Sequence, residues 1–227
     1  MTNYNYTADI EAGKIDRSNF EANIRFLEGI GLPKEGIKIL EVGCGAGRLT
    51  NYLTQRGFNI IGFDISRSLI EEGDMRYPDA IKLLASGDSM PFSDSTFDVV
   101  LSFDVLEHIP DLNEHILEVR RVLKKGGLYL FQTPNKLTNM PFEIIKNRSL
   151  TEHKKYHCSL QTFWSLKRLL KANRFAFTFV KTPIMNEFME QKIEKVFGRV
   201  GILLLRIVDL DKLPQSVRTN FYVCGEK

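Results

Sequence analysis

The residues best equipped for chemistry are a glycine run and three carboxylates set at regular intervals along the chain. Glu41-Val42-Gly43-Cys44-Gly45-Ala46-Gly47 lies between an apolar stretch and a helical pattern, where glycines let a ligand approach the backbone. A dinucleotide fingerprint, G-x-G-x-x-G, asks for glycine five residues after the first, and that position is Arg48. Glu41 would also meet a pyrophosphate with like charge, so a cation is the better guest. Asp64 follows 21 residues after Gly43, where an acidic side chain can accept both ribose hydroxyls. Asp88, in Gly87-Asp88-Ser89-Met90-Pro91-Phe92, could take the exocyclic amine of adenine. Three carboxylates on the carboxyl edge of adjacent strands suit a ribonucleoside that carries cationic groups and lacks phosphates.

A second constellation is Asp104, Glu107 and His108, in Phe103-Asp104-Val105-Leu106-Glu107-His108-Ile109. His108 is the first candidate general base. The plainer reading is that these residues cap a helix start and pack against the ligand. Further on, Thr151-Glu152-His153-Lys154-Lys155-Tyr156-His157-Cys158-Ser159 offers His153, Tyr156 and His157 as acceptor-side groups, with a surface role as the competing reading. Phe163 and Trp164 read as core or pocket wall.

The elements that must hold these groups alternate between strand and helix. Phe20, Ile24 and Leu27 mark a short amphipathic helix over 19–30, expected, with Tyr4 and Tyr6, to close the site from one side. Strands are expected at 38–42, 58–63, 81–85, 97–102 and 128–132, short and apolar as buried parallel strands are. Ser66 is a plausible N-cap. Asp111 with Glu114 opens a helix along Leu112, Ile116, Val119 and Leu123 that Gly126-Gly127 should end. Residues 133–158 read as a long irregular connection, followed by a helix capped by Ser159, a strand at 175–180, a helical stripe from Phe188 to Val208 and a last strand at 220–224.

Taken in order, these segments resemble the class I S-adenosylmethionine-dependent methyltransferases, of the methyltransferase-11 and ubiquinone-pathway-like group, over Leu32 to Gln132. ILEVGCGAGRLT is similar to that family's glycine motif, IIGFDIS to its ribose-binding acid, GDSMPFSDSTFDVVLS to its adenine loop and fourth strand, and VLEHIPD and RVLKKGGLYLFQTPN to the segments that follow. The resemblance implies a doubly wound, seven-stranded, mainly parallel α/β sheet of order 3-2-1-4-5-7-6 with its last strand antiparallel. It implies S-adenosyl-L-methionine as cofactor and S-adenosyl-L-homocysteine as product. Gly43 and Gly45 would pack beneath the methionine part, Glu41 would steady its ammonium, and Cys44 and Gly47 would also line the cofactor. Asp64 would hold the ribose with Ile65 also lining the cofactor, Asp88 with the backbone of Ser89 or Met90 would hold the adenine, and the Phe103 backbone would close over the cofactor. D-x-x-E-H at Asp104, Glu107 and His108 is similar to the E-x-x-E-H metal ligands of some ubiquinone-pathway and small-RNA methyltransferases, with Asp in first place. A cation held there would need another imidazole or water, and His153 or His157 could supply it. No metal is the simpler expectation.

Composition sets limits around this reading. The 227 residues are 43% hydrophobic with a formal net charge of +3, which fits one folded domain and excludes a disordered polyelectrolyte. Its expected parts are an N-terminal lid helix in 1–31, a cofactor core at 32–132 and an acceptor-side half at 133–227. Cys44, Cys158 and Cys224 form neither a disulfide framework nor a CxxC motif, and the N-terminal residues lack a signal pattern, so a cytoplasmic protein is expected. Charge is uneven: Arg120 to Lys181 holds 14 Lys or Arg against Glu143 and Glu152. Solvated helix faces account for that most simply; an anionic acceptor, a nucleic acid or an anionic lipid surface are the alternatives. The stripe from Phe188 could be a lid or a membrane-surface face. The expected partner is a small-molecule acceptor, small or amphipathic, and the sequence leaves the oligomeric state open. The competing functions are a binding subunit that keeps the fold without catalysis, and an NAD-dependent oxidoreductase, which Arg48 and Glu41 oppose.

Overall fold

The computed structural model describes residues 19–151 and 157–227, apart from the side chains of 187, 188, 204 and 206. Tyr4, Tyr6, His153 and Tyr156 lie outside the described residues. A seven-stranded sheet of order β3-β2-β1-β4-β5-β7-β6 organises the chain, as the resemblance implies. Its strands are β1 (Lys38–Val42), β2 (Asn59–Asp64), β3 (Lys82–Leu84), β4 (Phe97–Phe103), β5 (Leu123–Pro134), β6 (Ala176–Val180) and β7 (Asn220–Glu226). β1 pairs in parallel with β2 and β4, while β7 runs antiparallel between β5 and β6.

The helices are α1 (Phe20–Ile30), α2 (Arg48–Thr54), α3 (Arg67–Arg76), α4 (Leu112–Val122), α5 (Lys136–Asn147), α6 (Phe163–Ala172) and α7 (Glu187–Ile207). Two apolar layers cover the sheet. Val100, Tyr129, Phe131 and Phe221 turn to α4 and α6, whose Ile116, Val119, Leu166 and Leu170 are fully buried. On the opposite face Leu101, Leu130 and Tyr222 meet Phe26 and Leu27 of α1. Burying such side chains is the main drive for docking the helices, at about 1.5–3 kcal/mol each.

Several boundaries differ from expectation, each for a local reason. α4 stops at Val122, before Gly126-Gly127, because fully buried Leu123 already pairs with Phe97 as the start of β5. Gly126, at φ 73°, turns the chain within β5 rather than ending a helix. The connection after Thr133 is not irregular: α5 forms there, with Asn135 Oδ1 accepting from Leu137 N at 3.1 Å. Pro141 sits inside it, where it forgoes one backbone bond and its ring crowds the carbonyl four residues back. Ser159 does not cap α6. Its N–H donates to the Glu107 carbonyl and its hydroxyl to that of Ile109, and Thr162 caps instead through a reciprocal pair with Ser165. Trp164 is 59% exposed, so it is neither core nor wall, whereas Phe163 packs against the core. β3 is a sheet edge with Leu83 and Leu84 partly exposed, not a buried strand.

Candidate active site

The strand order reverses between β1 and β4, and a doubly wound sheet opens a ligand crevice at the carboxyl ends of its strands there. The glycine loop leaves β1 at that point. Gly43, Gly45 and Gly47 all have positive φ, and a side chain on Gly43 would strike Val105. Among the described residues, none beyond its chain neighbours comes within 4 Å of where a Cβ on Gly45 would sit, so they leave that face of the loop open. Cys44 is buried with its N–H on the Phe63 carbonyl at 2.9 Å, and burial pushes its thiol far up, which keeps it protonated and unreactive.

Two carboxylates converge on this loop. Asp64, at the end of β2, accepts from Gly45 N at 2.9 Å and Ser66 N at 2.8 Å. Burial raises its pKa against these bonds. Ile65 beside it is 69% exposed. Glu41 is buried beneath the loop, where Thr50 Oγ1 donates to it at 2.5 Å. Desolvation pushes its carboxyl up to about 7, with the charge of Asp64 adding to the shift.

Asp88 and Ser89 are exposed, and Ser86 Oγ donates to Asp88 at 2.5 Å. The loop that bears them is tied to α4. Buried His115 reaches the Gly87 carbonyl through Nδ1 at 2.8 Å, and Glu118 accepts Met90 N at 2.9 Å. The Met90 N–H is therefore already engaged, and Met90 itself is buried.

The second constellation divides in two. Asp104 turns off β4 at φ 55° and accepts from Asn19 Nδ2 at 3.2 Å through both oxygens, while its N–H donates to Gln132 Oε1 at 3.0 Å. Phe103 packs edge-on against Phe26 of α1, with ring centroids 6.2 Å apart. Glu107 and His108 belong to a single helical turn, Leu106–His108. Glu107 is buried with Thr133 Oγ1 at 3.1 Å, and burial together with the Asp104 charge pushes its carboxyl up to about 8. The Glu107 carbonyl accepts Ser159 N at 3.0 Å, which draws His157 alongside His108 with ring centroids 5.2 Å apart. Among the described residues, ligand atoms of Glu107, His108 and His157 all lie within 4.8 Å of one another. Asp104 is not in that group, so His157 takes the place given to Asp104 in the sequence-based set.

Thr50, Asn19, Gln132 and Thr133 escaped the sequence reading, since each reaches its carboxylate across the fold rather than by periodicity. Lys192 of α7 was missed as well. It lies 5.0 Å from the Phe142 ring centroid, and burial lowers its pKa while the Asp104 charge opposes that.

Residues 40–131 match the sequence model of the methyltransferase domain. The match spans 92 of the 227 residues, so the likeness is to this stretch of the chain. The chain is 33% identical over 106 residues to a probable S-adenosylmethionine-dependent methyltransferase of Mycolicibacterium smegmatis, covering 47% of this chain and 41% of the relative. It is 31% identical over 117 residues to a ubiquinone biosynthesis O-methyltransferase of Pelagibacter ubique, covering 50% and 49%. The chain thus spans about half or less of the length of these curated relatives. A solved phosphoethanolamine N-methyltransferase 2 of Haemonchus contortus, in complex with phosphomonomethylethanolamine and S-adenosylhomocysteine, shares the fold with a TM-score of 0.63 at 17% identity, over 91% of this chain and 51% of that one.

Proposed function

We propose that the chain is an S-adenosylmethionine-dependent methyltransferase acting on a small or amphipathic acceptor. The observation that carries this reading is the meeting of Glu41 and Asp64 around the open face of the Gly43–Gly47 loop, at the point where the strand order reverses. A buried acid there favours a cationic ligand. Glu41 would steady the methionine ammonium, Asp64 would exchange its Gly45 bond for the ribose hydroxyls, and Asp88 with the Ser89 backbone would hold adenine. The cofactor supplies the leaving group, and the methyl passes by in-line displacement to the acceptor nucleophile. Holding that nucleophile at attack distance is worth about 7–11 kcal/mol. His108, beside the crevice, is the proposed base for an acceptor proton. The name of the Pelagibacter relative, a ubiquinone biosynthesis O-methyltransferase, supports a small or amphipathic acceptor. Equilibrium dialysis tests the cofactor: the account requires retention of S-adenosylmethionine over NAD, and the reverse preference overturns it.

A second reading rests on the Glu107–His108–His157 group. One carboxylate and two imidazoles suit a divalent transition cation, which when bound would acidify an acceptor hydroxyl. These three side chains would then hold the cation, and His108 would be a ligand rather than a base. Turnover lost in excess chelator and restored by Zn²⁺ or Mn²⁺ favours the cation; turnover unchanged by chelator removes it.

A further inference from the structure

Met189, near the start of α7, is buried in one of the two apolar layers, but α5 and the described side chains of α7 beyond Gly198 stand apart from both. α5 has no buried residue among its twelve, and the two helices meet through Phe142 and Phe197, whose ring centroids lie 6.0 Å apart. Each turns an aliphatic row outward. On α7, past the break at Gly198, Val200, Leu203 and Ile207 are 67%, 56% and 75% exposed and fall on one helical face. On α5, Leu137 and Ile145 are 46% and 49% exposed, two turns apart on one side.

Cations accompany these rows. Residues 199–207 carry two arginines and no acid, and α5 with its C-terminal residue Arg148 carries three cations against Glu143 alone. Among the described residues, no helix is long and apolar enough to cross a membrane. An aliphatic row flanked by cations is the pattern of a helix that lies in the headgroup plane. A second copy on the same face would bring like charges together across a two-fold axis, and rows of aliphatic residues offer nucleic-acid bases no stacking surface.

We infer that the α5–α7 face docks on an anionic lipid surface. Delivery of an amphipathic acceptor from that surface rests on the function proposed above; the docking does not.

Co-sedimentation of the full chain tests this with vesicles of phosphatidylcholine alone and of phosphatidylcholine and phosphatidylglycerol in equal parts. Binding to the mixed vesicles should be at least about tenfold stronger and should weaken with added salt. Leu203→Asp with Ile207→Asp should reduce it by about tenfold or more. Both positions are exposed, so the fold is kept; Arg199→Glu with Arg148→Glu gives a second, purely electrostatic variant with the same expected direction. Absence of binding, equal binding to both vesicle types, or wild-type binding by both variants overturns the inference. So does a dimer in solution that Leu203→Asp dissociates, which would make the face an interface between copies. S-adenosylmethionine affinity is measured on the same samples: lost vesicle binding with intact cofactor binding removes the docking alone, whereas absent cofactor binding in the wild type removes the methyltransferase reading.

Discussion

One carboxylate oxygen of Asp64 lies 2.9 Å from the backbone nitrogen of Gly45, so the acid that ends β2 is fastened to the loop that follows β1. The acid is thereby held over the open face of the loop before any ligand arrives. Replacing Asp64 with Ala removes this anchor and the proposed ribose acceptor together. The affinity for S-adenosylmethionine should fall by about 10- to 100-fold, measured by isothermal titration, with the fold retained by circular dichroism.

Glu41 sets a pH dependence. Its folded pKa of about 7 exceeds its ordinary value of 4.5, so the fold holds an extra proton between those limits. Stability of the ligand-free protein should therefore be greatest below about pH 4.5 with respect to this group and should fall by about 3 kcal/mol as pH rises to 7 and above. An ammonium partner favours the ionised form, so cofactor binding should release a proton near pH 6 and tighten by about tenfold from pH 6 to pH 8. Titration calorimetry in buffers of different ionisation enthalpy reads that proton directly. Glu41→Gln should abolish the release; a wild-type affinity that is flat with pH contradicts the assignment.

Two glycines in one loop should respond differently. A methyl group on Gly43 meets Val105, so Gly43→Ala should lower both melting temperature and cofactor affinity. Gly45→Ala meets no atom of the described residues beyond its chain neighbours and should cost the fold only about 1–2 kcal/mol for its positive φ, while blocking the cofactor. Thermal melts with and without S-adenosylmethionine separate the two cases.

His108 should matter more to turnover than to cofactor binding. His108→Ala is expected to lower kcat by about 10²- to 10⁴-fold with cofactor affinity unchanged, if an acceptor proton must be removed. A matching fall for His157→Ala, rescued by added divalent cation, would assign the pair to cation binding.

The parts that were legible in the sequence are those set by local pattern. Lys38–Val42 could be read because an apolar run breaks into glycines, and Asp64 because it ends the next such run. Ser66 could be read because its side chain accepts from Leu69 N, three residues on. Pro141 hid α5, since proline is a strong breaker in sequence, yet the helix continues through it. Ser159 looks like a cap because a serine before an apolar stripe has the same signature whether it caps or, as here, ties a loop to Glu107 and Ile109. The partners of the acids were beyond reach: Asn19 and Asp104 are 85 residues apart, and only the sheet brings them together. Trp164 shows the converse, an aromatic at helical spacing whose ring the fold leaves in solvent.

The central claim is methyl transfer from S-adenosylmethionine. Its most direct measurement is incubation of the protein with methyl-labelled cofactor and a cell extract, followed by separation into small-molecule, lipid, RNA and protein fractions, with Asp64→Ala as the control. The account predicts label in the small-molecule or lipid fraction that falls at least about tenfold with the control. Label no higher than with Asp64→Ala in every fraction would contradict methyl transfer, and label confined to RNA or protein would contradict the acceptor class.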